Sequence, residues 1–454
     1  MNEGFALQQY HHAAAEGLWQ HRPGKSFLRE VDRRSVTGAE LVLGLSAKHG
    51  VIPRAEMSQR ASEATSYVGY KLVQAGQLIS NKMQAWNGMF GISQYNGITS
   101  PDYAIYEFRQ AVEPRFIQFI VQTKLYAAEF HCRSKGIGTG FLRLNPSDFL
   151  SVPYWLPKVS KQRGIADFLD RETDRIDSLI EKKLRFTALL KEKQSAVIAN
   201  AVTKGLDPAV AMKNSGIDWI GEIPASWRLM KLGFLGRCAN GINVGGDAFG
   251  SGFPFVSYGD VYKNRKLPEE VIGLVQSTKA DRAAYSVKAG DVFFTRTSET
   301  VEEIGFSSAC LKTIEDAVFA GFLIRFRPFK DVLVPEFSKF AFQNASLRDF
   351  FASEMMLVTR ASLSQNLLQS MPVPVPSIEE QARIAKYLEN TDGKVASIIK
   401  KTERSIELLR ENRSALITAA VTGQIDVATW VRKGETDRRL DRIQEEMSQK
   451  EARA

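Results

Sequence analysis

"KQRGIADFLDRETDRID" (Lys161–Asp177) reads as the opening of an amphipathic helix, and "EQARIAKYLENTDGKVA" (Glu380–Ala396) writes the same skeleton again. Aligning Ile165 with Ile384 sets an offset of 219 residues, which holds without a gap from Ser151/Ser370 to Asp207/Asp426. Pro153/Pro372, Pro157/Pro376, Gln162/Gln381, Leu169/Leu388 and Ser195/Ser414 all fall in step, as does Ala201-Val202-Thr203 against Ala420-Val421-Thr422. A repeat at half-chain spacing decides the architecture before any single element is assigned.

The repeat extends upstream more faintly. "YKLVQAGQLISNKM" (Tyr70–Met83) matches "YSVKAGDVFFTRTS" (Tyr285–Ser298) as a short apolar strand arriving after a turn glycine. "EPRFIQFIV" (Glu113–Val121) matches "VPEFSKFAF" (Val334–Phe342) as a helix opened by proline. Runs such as "FPFVSYGDV" (Phe253–Val261), "DVFFTRT" (Asp291–Thr297) and "FLIRFRP" (Phe322–Pro328) read as strands broken by turns.

In the helices, Ile165, Leu169, Ile176, Leu179, Phe186, Leu190 and Val197 step by threes, fours and sevens, as do Ile384, Leu388, Val395, Ile398, Leu409 and Leu416. That spacing is a coiled-coil seam. Each helix follows a proline-rich approach ("SVPYWLP", "SMPVPVP") and runs to about Lys204 or Thr422, roughly forty-five residues or about 65 Å. Neither seam can be buried alone, so the two helices are expected to pair, antiparallel because each returns to the opposite globule. The ends "SAVIANAV" and "SALITAAV" carry more apolar positions than a two-helix seam needs. Ile198 and Ile417 are therefore expected on faces left for partner helices.

The expected fold class is α+β: two globular domains alternating with two long helices that pair as an antiparallel coiled coil, in a pseudo-two-fold repeat. The expected divisions are a first domain over 1–157, a helix over 158–205 and a linker over 206–226. A second domain over 227–376, a helix over 377–425 and a charged tail over 426–454 follow.

Composition bounds the function. The chain has 454 residues, too many for one ordinary core, with 44% hydrophobic and 24% charged. No window approaches the length of an apolar membrane span, and "MNEGFALQQYHH" lacks a signal-peptide layout, so a cytoplasmic address without membrane contact is expected. Three scattered cysteines (Cys132, Cys238, Cys310) and five histidines present no metal-ligand spacing. A net charge of +9 favours a polyanionic partner. "PGKSF" (Pro23–Phe27) has Trp19 where the leading glycine of a phosphate loop must sit. "GIGTG" (Gly136–Gly140) lacks the third spaced glycine, and "GGDAFGSG" (Gly245–Gly252) lacks the lysine. No nucleotide or cofactor site is expected in this chain.

"MPVPVPSIEEQARIAKYL" (Met371–Leu388), its partner "VPYWLPKVSKQRGIADFL" (Val152–Leu169), the helix ends "SALITAAVTGQIDV" and "SAVIANAVTKGLDP", and the linker "SGIDWIGEIPASW" (Ser215–Trp227) carry a resemblance. The chain resembles the specificity subunit of type I DNA restriction–modification systems over nearly its whole length. The resemblance implies two target-recognition domains, each reading half of a split, asymmetric site on double-stranded DNA, with the paired helices as a ruler. It implies no catalysis here. Methylation would fall to two partner modification subunits carrying S-adenosylmethionine, and cleavage to restriction subunits with nuclease and translocase parts. The competing reading is a coiled-coil scaffold whose globular domains bind protein.

Base edges are read by side chains on exposed turns, and phosphates by lysine and arginine. In the first domain "SNKMQAWNG" (Ser80–Gly88) offers Asn81, Lys82, Gln84, Trp86 and Asn87, and "CRSKGIGTG" places Arg133 and Lys135 on a glycine loop. In the second, "TRTSET" (Thr295–Thr300) offers Arg296, Thr297 and Ser298, aligned with Asn81–Met83. "SYGDVYKNRK" (Ser257–Lys266) adds Tyr258, Lys263 and Arg265, and "VTRAS" (Val358–Ser362) adds Arg360. The helix-pair and partner-binding set is Ile165, Leu169, Ile176, Leu190 and Ile198 with Ile384, Leu388, Val395, Leu409 and Ile417.

Overall fold

The computed structural model describes residues 19–47, 49–57, 65–109, 112–137, 141–298, 304–344, 350–351, 361–433 and 438. It resolves into two compact units, Met1–Leu184 with Lys401–Ala454, and Arg185–Lys400. The division passes through both long helices, Val159–Lys204 and Ile378–Val421.

In the first unit, buried Trp19 leads into the strand Gln20–Pro23, which pairs antiparallel with Pro153–Leu156 just before the long helix. A four-stranded antiparallel sheet follows in the order Leu28–Val31, Tyr103–Phe108, Leu78–Asn81, Phe90–Ile92. Its approach turns on Gly76, whose φ of +88° falls where a side chain would be strained. Pro114 opens the helix Pro114–Val121, where its missing N–H costs nothing. The core gathers Phe27, Phe90, Phe116, Phe149 and Tyr154 over Ile165, Leu169 and Ile176 of the first long helix and Leu409 and Leu416 of the second.

The second unit, taken by itself, uses the same sequence of devices. Buried Trp227 precedes Arg228–Lys231, which pairs antiparallel with Pro372–Val375. The sheet runs Gly236–Asn240, Leu323–Pro328, Val292–Thr295, Ser307–Ala309, entered through Gly290 at φ +92°. Pro335 opens the helix Pro335–Ala341. Phe294, Phe326, Phe337 and Phe340 pack over Ile198, Ile384 and Leu388. A second small core forms around Phe255, Phe293 and Phe319.

One glutamine in each unit fastens the sheet domain to its helix. Fully buried Gln162 accepts the Glu113 N–H at 2.9 Å and donates to Pro157 O at 2.8 Å. Gln381, equally buried, accepts the Val334 N–H at 2.8 Å and donates to Pro376 O and Val332 O, both at 3.1 Å. In both places the N–H served belongs to the residue before the helix-opening proline. The amide side chain has both an acceptor and a donor to give, which explains why glutamine stands at both positions.

The long helices pack on one another within each unit. In the first, Asp177 and Arg413 form an ion pair at 2.9 Å, and the charge of Lys161 acts on Asp426. In the second, Gln194 Nε2 donates to Asp392 Oδ1 at 2.5 Å, and Gly205 lies against Glu380, whose Oε2 accepts the Trp227 indole N–H.

Several expectations are corrected. Phe186 and Ile398 are 47% and 42% exposed, and the buried positions nearby are the small polar Thr187, Thr402 and Ser405. Leu190 and Val395 are half-buried. Ile198 and Ile417, expected on faces left open for partners, are only 5% and 7% exposed, because each belongs to the core of its own unit. "FPFVSYGDV" is a strand only to Val256. The helix Tyr258–Lys263 follows, since Ser257 and Asp260 form a reciprocal capping box.

Candidate nucleic-acid interface

The registers fix which positions correspond. Leu78 and Asn81 pair with Tyr106 and Tyr103, as Val292 and Thr295 pair with Phe326 and Leu323. Thr295 therefore takes the place of Asn81, and Arg296 that of Lys82. The sequence alignment was one residue out.

In the first unit the turn after Leu78–Asn81 uses much of its own polar chemistry. Asn81 Oδ1 accepts the Met83 N–H at 3.0 Å, and Trp86 donates its indole N–H to Met83 O at 2.9 Å while meeting His131 edge-on at 5.6 Å. Lys82 is 8% exposed and donates to Pro101 O at 3.0 Å. Burial first, and then the nearby Arg143 charge, pushes its ammonium below the usual lysine range. Lys82, expected among the donors offered to base edges, is instead engaged inside the fold. Gln84 and Asn87 remain exposed on this turn.

Arg133 and Lys135 do not ride a glycine loop. Arg133 ends the helix Lys124–Arg133 and is held by Glu129 Oε1 at 2.6 Å and Ser151 Oγ at 3.0 Å. Exposed Lys135 opens the strand Lys135–Ile137, 3.6 Å from Asp148. The packing of Trp86 on His131 nonetheless brings the ends of both segments to one region of the unit. Asn87 also borders an open cleft of about 900 Å³ whose walls include His49, Arg115, Asp170, Asp174 and Arg413. Its mixed charge gives no preference for a polyanion.

In the second unit the chosen residues converge better. Tyr258 stacks on Tyr262 at 5.8 Å, Tyr262 packs on Phe306 at 5.0 Å, and Phe306 O accepts the Thr295 N–H at 2.8 Å. This chain of contacts sets Tyr258 and exposed Lys263 beside Arg296 and Thr297, and Thr297 pairs with Ser362. Arg265 is turned elsewhere, donating to Gln343 Oε1 and Asp392 Oδ1, both at 2.7 Å. The side chain of Ser298 and the whole of Arg360 lie outside the described residues.

Sequence reasoning missed two residues here. Phe322 is 63% exposed on the turn whose carbonyl accepts the Arg296 N–H at 3.0 Å. In "GFLIRF" it looks like any core phenylalanine. Arg143, beside Lys82, sits in "FLRLNPS", where nothing local marks it.

Residues 241–408 match the family described as "Type I restriction modification DNA specificity domain". The EcoKI specificity subunit of Escherichia coli K12 is 22% identical over 320 residues, covering 69% of this chain and 66% of that relative's length. The StySPI specificity subunit of Salmonella potsdam is 20% identical, covering 70% of this chain and 67% of its own. Among solved structures, a chain from work on complex assembly and conformational transition of the type I R-M system superposes with a TM-score of 0.65 at 15% identity, covering 90% of this chain and 98% of that one. The HsdS subunit of Thermoanaerobacter tengcongensis superposes at 0.50 with 15% identity, over 90% and 97%. Among the described residues, no helix is long and apolar enough to cross a membrane.

Proposed function

We propose that the chain is a type I restriction–modification specificity subunit, on its likeness to that DNA specificity domain over residues 241–408 and to the EcoKI specificity subunit, and that it reads an asymmetric, split target on double-stranded DNA. Each sheet domain reads one half-site, and the chain itself performs no chemistry. It directs two modification subunits, which carry S-adenosylmethionine, and the restriction subunits that cleave unmodified DNA. The setting is the cytoplasm.

One observation carries this reading. The same strand order recurs in the two units, each fastened by a buried glutamine to the start of a long helix, while the side chains at the matching strand ends differ. Equal frames with unequal reading edges suit two half-sites with different letters. The internal repeat is supported by the matching registers. An antiparallel coiled coil is supported within each unit, since contacts that rise along the first helix, Lys161 then Asp177 or Gln194 then Gly205, fall along the second. On this reading the helices set the gap between half-sites.

Co-expression with a cognate modification subunit, followed by genome-wide mapping of methylated adenine, tests the proposal. A bipartite motif with unlike halves is expected. Methylation that follows no motif, or duplex binding indifferent to salt, would favour the protein-binding scaffold instead.

A further inference from the structure

Just past the end of each central strand a backbone carbonyl accepts an N–H from far along the chain. In the first unit the Leu144 N–H donates to Lys82 O at 3.0 Å; in the second the Leu363 N–H donates to Arg296 O at 2.7 Å. The strand registers make Lys82 and Arg296 equivalent. The 219-residue offset carries upstream through the matching short helices Pro146–Ser151 and Gln365–Ser370, which makes Leu144 and Leu363 equivalent, and with them their predecessors Arg143 and Ser362. Each junction therefore has two side-chain positions flanking the same bond.

The two units fill those positions oppositely. In the first, Lys82 turns inward to Pro101 O, and Arg143 supplies the other charge beside it. In the second, Arg296 holds the charge across from exposed Ser362. Arg143 and Arg296 are both half-buried, and both have a buried Nε without a hydrogen-bond partner. Among the described residues neither guanidinium has an ion-pair partner. Arg133, Arg265, Arg325 and Arg327, by contrast, each reach at least one acceptor in the fold. A partly desolvated cation with no counter-charge is unfavourable in the isolated fold and becomes favourable when an anion arrives. Each side chain is already half-buried, so less ordering remains to be done on binding.

We infer that Arg143 and Arg296 are matched phosphate-binding residues, one per half-site, supplied from opposite sides of the same backbone junction. This rests on the reading of the chain as a DNA-recognition subunit. Sequence alignment hides the pair because the two arginines do not align. Only the shared bond, Leu144 to Lys82 and Leu363 to Arg296, shows them to be counterparts.

The test uses the full chain assembled with its modification subunits and short duplexes carrying the mapped site. Arg143→Gln and Arg296→Gln keep the shape and remove the charge. Each is expected to weaken binding about five- to ten-fold near 0.15 M salt and to make the slope of log K against log[salt] shallower by about one; the double variant should lose about two. Arg143→Lys and Arg296→Lys should restore most of the slope. The methylated letters should not change, and thermal unfolding should match the parent, since among the described residues neither guanidinium has a protein acceptor to lose. Unaltered slopes in both glutamine variants, with the parent still salt-dependent, would overturn the inference. So would a changed letter at an unaltered slope, which indicates a base-edge contact. If the parent complex shows no salt-dependent duplex binding, the underlying functional reading fails instead.

Discussion

Replacing Gln381 by alanine removes one amide that serves three backbone groups. The Val334 N–H loses its acceptor at 2.8 Å, and Pro376 O and Val332 O lose donors at 3.1 Å. Gln381 is fully buried, so the shortened side chain leaves a gap at the junction. An orphaned donor costs about 1–3 kcal/mol, and under-satisfied carbonyls cost less because each has a second lone pair. The expected loss is about 2–4 kcal/mol, a large share of a typical folding free energy of about 5–15 kcal/mol. With a urea m-value of about 2 kcal/mol/M, the transition of the second unit should fall by about 1–2 M. Tryptophan fluorescence can follow it, since Trp219 and Trp227 belong to the second unit and Trp19 and Trp155 to the first. Gln162→Ala should lower the first unit's transition in the same way through the Glu113 N–H and Pro157 O. A midpoint shift below about 0.3 M for Gln381→Ala would refute the argument that this amide fastens sheet to helix.

Inserting four residues into both helices near Arg185 and Arg404 adds about 6 Å; the mapped motif should keep its half-site letters and widen its gap by one or two base pairs, and an unchanged gap would exclude the ruler. Ile198→Asp and Ile417→Asp, each placing a charge in a core, should cost about 3 kcal/mol or more and yield insoluble or protease-sensitive chain; well-folded variants that merely fail to bind modification subunits would contradict the burial. Burial pushes the Cys310 and Cys238 thiols up to about 12, whereas Cys132 is exposed. At pH 8 a colorimetric thiol reagent should therefore modify one cysteine quickly and two slowly, with all three reacting fast in urea.

The local pattern of the chain determined much of this. A gapless 219-residue offset gave the two-part plan, and apolar spacing with proline-rich approaches gave both long helices to within a few residues. Gly76, Gly290, Pro114 and Pro335 announced their turns and helix starts, because conformational limits on glycine and proline act on neighbouring residues alone. The fate of each polar side chain was not legible in that way. Lys82 is internal because Pro101 O faces it, and Arg265 is engaged because Gln343 and Asp392 fold back on it. Ile198 and Ile417 are core residues because distant segments cover them. Arg143 and Arg296 stand as counterparts only through a bond between residues far apart in sequence. Whether a charge is spent or left over depends on which acceptor comes within about 3 Å, and that distance is set by packing between remote parts of the chain, which no short stretch of sequence contains.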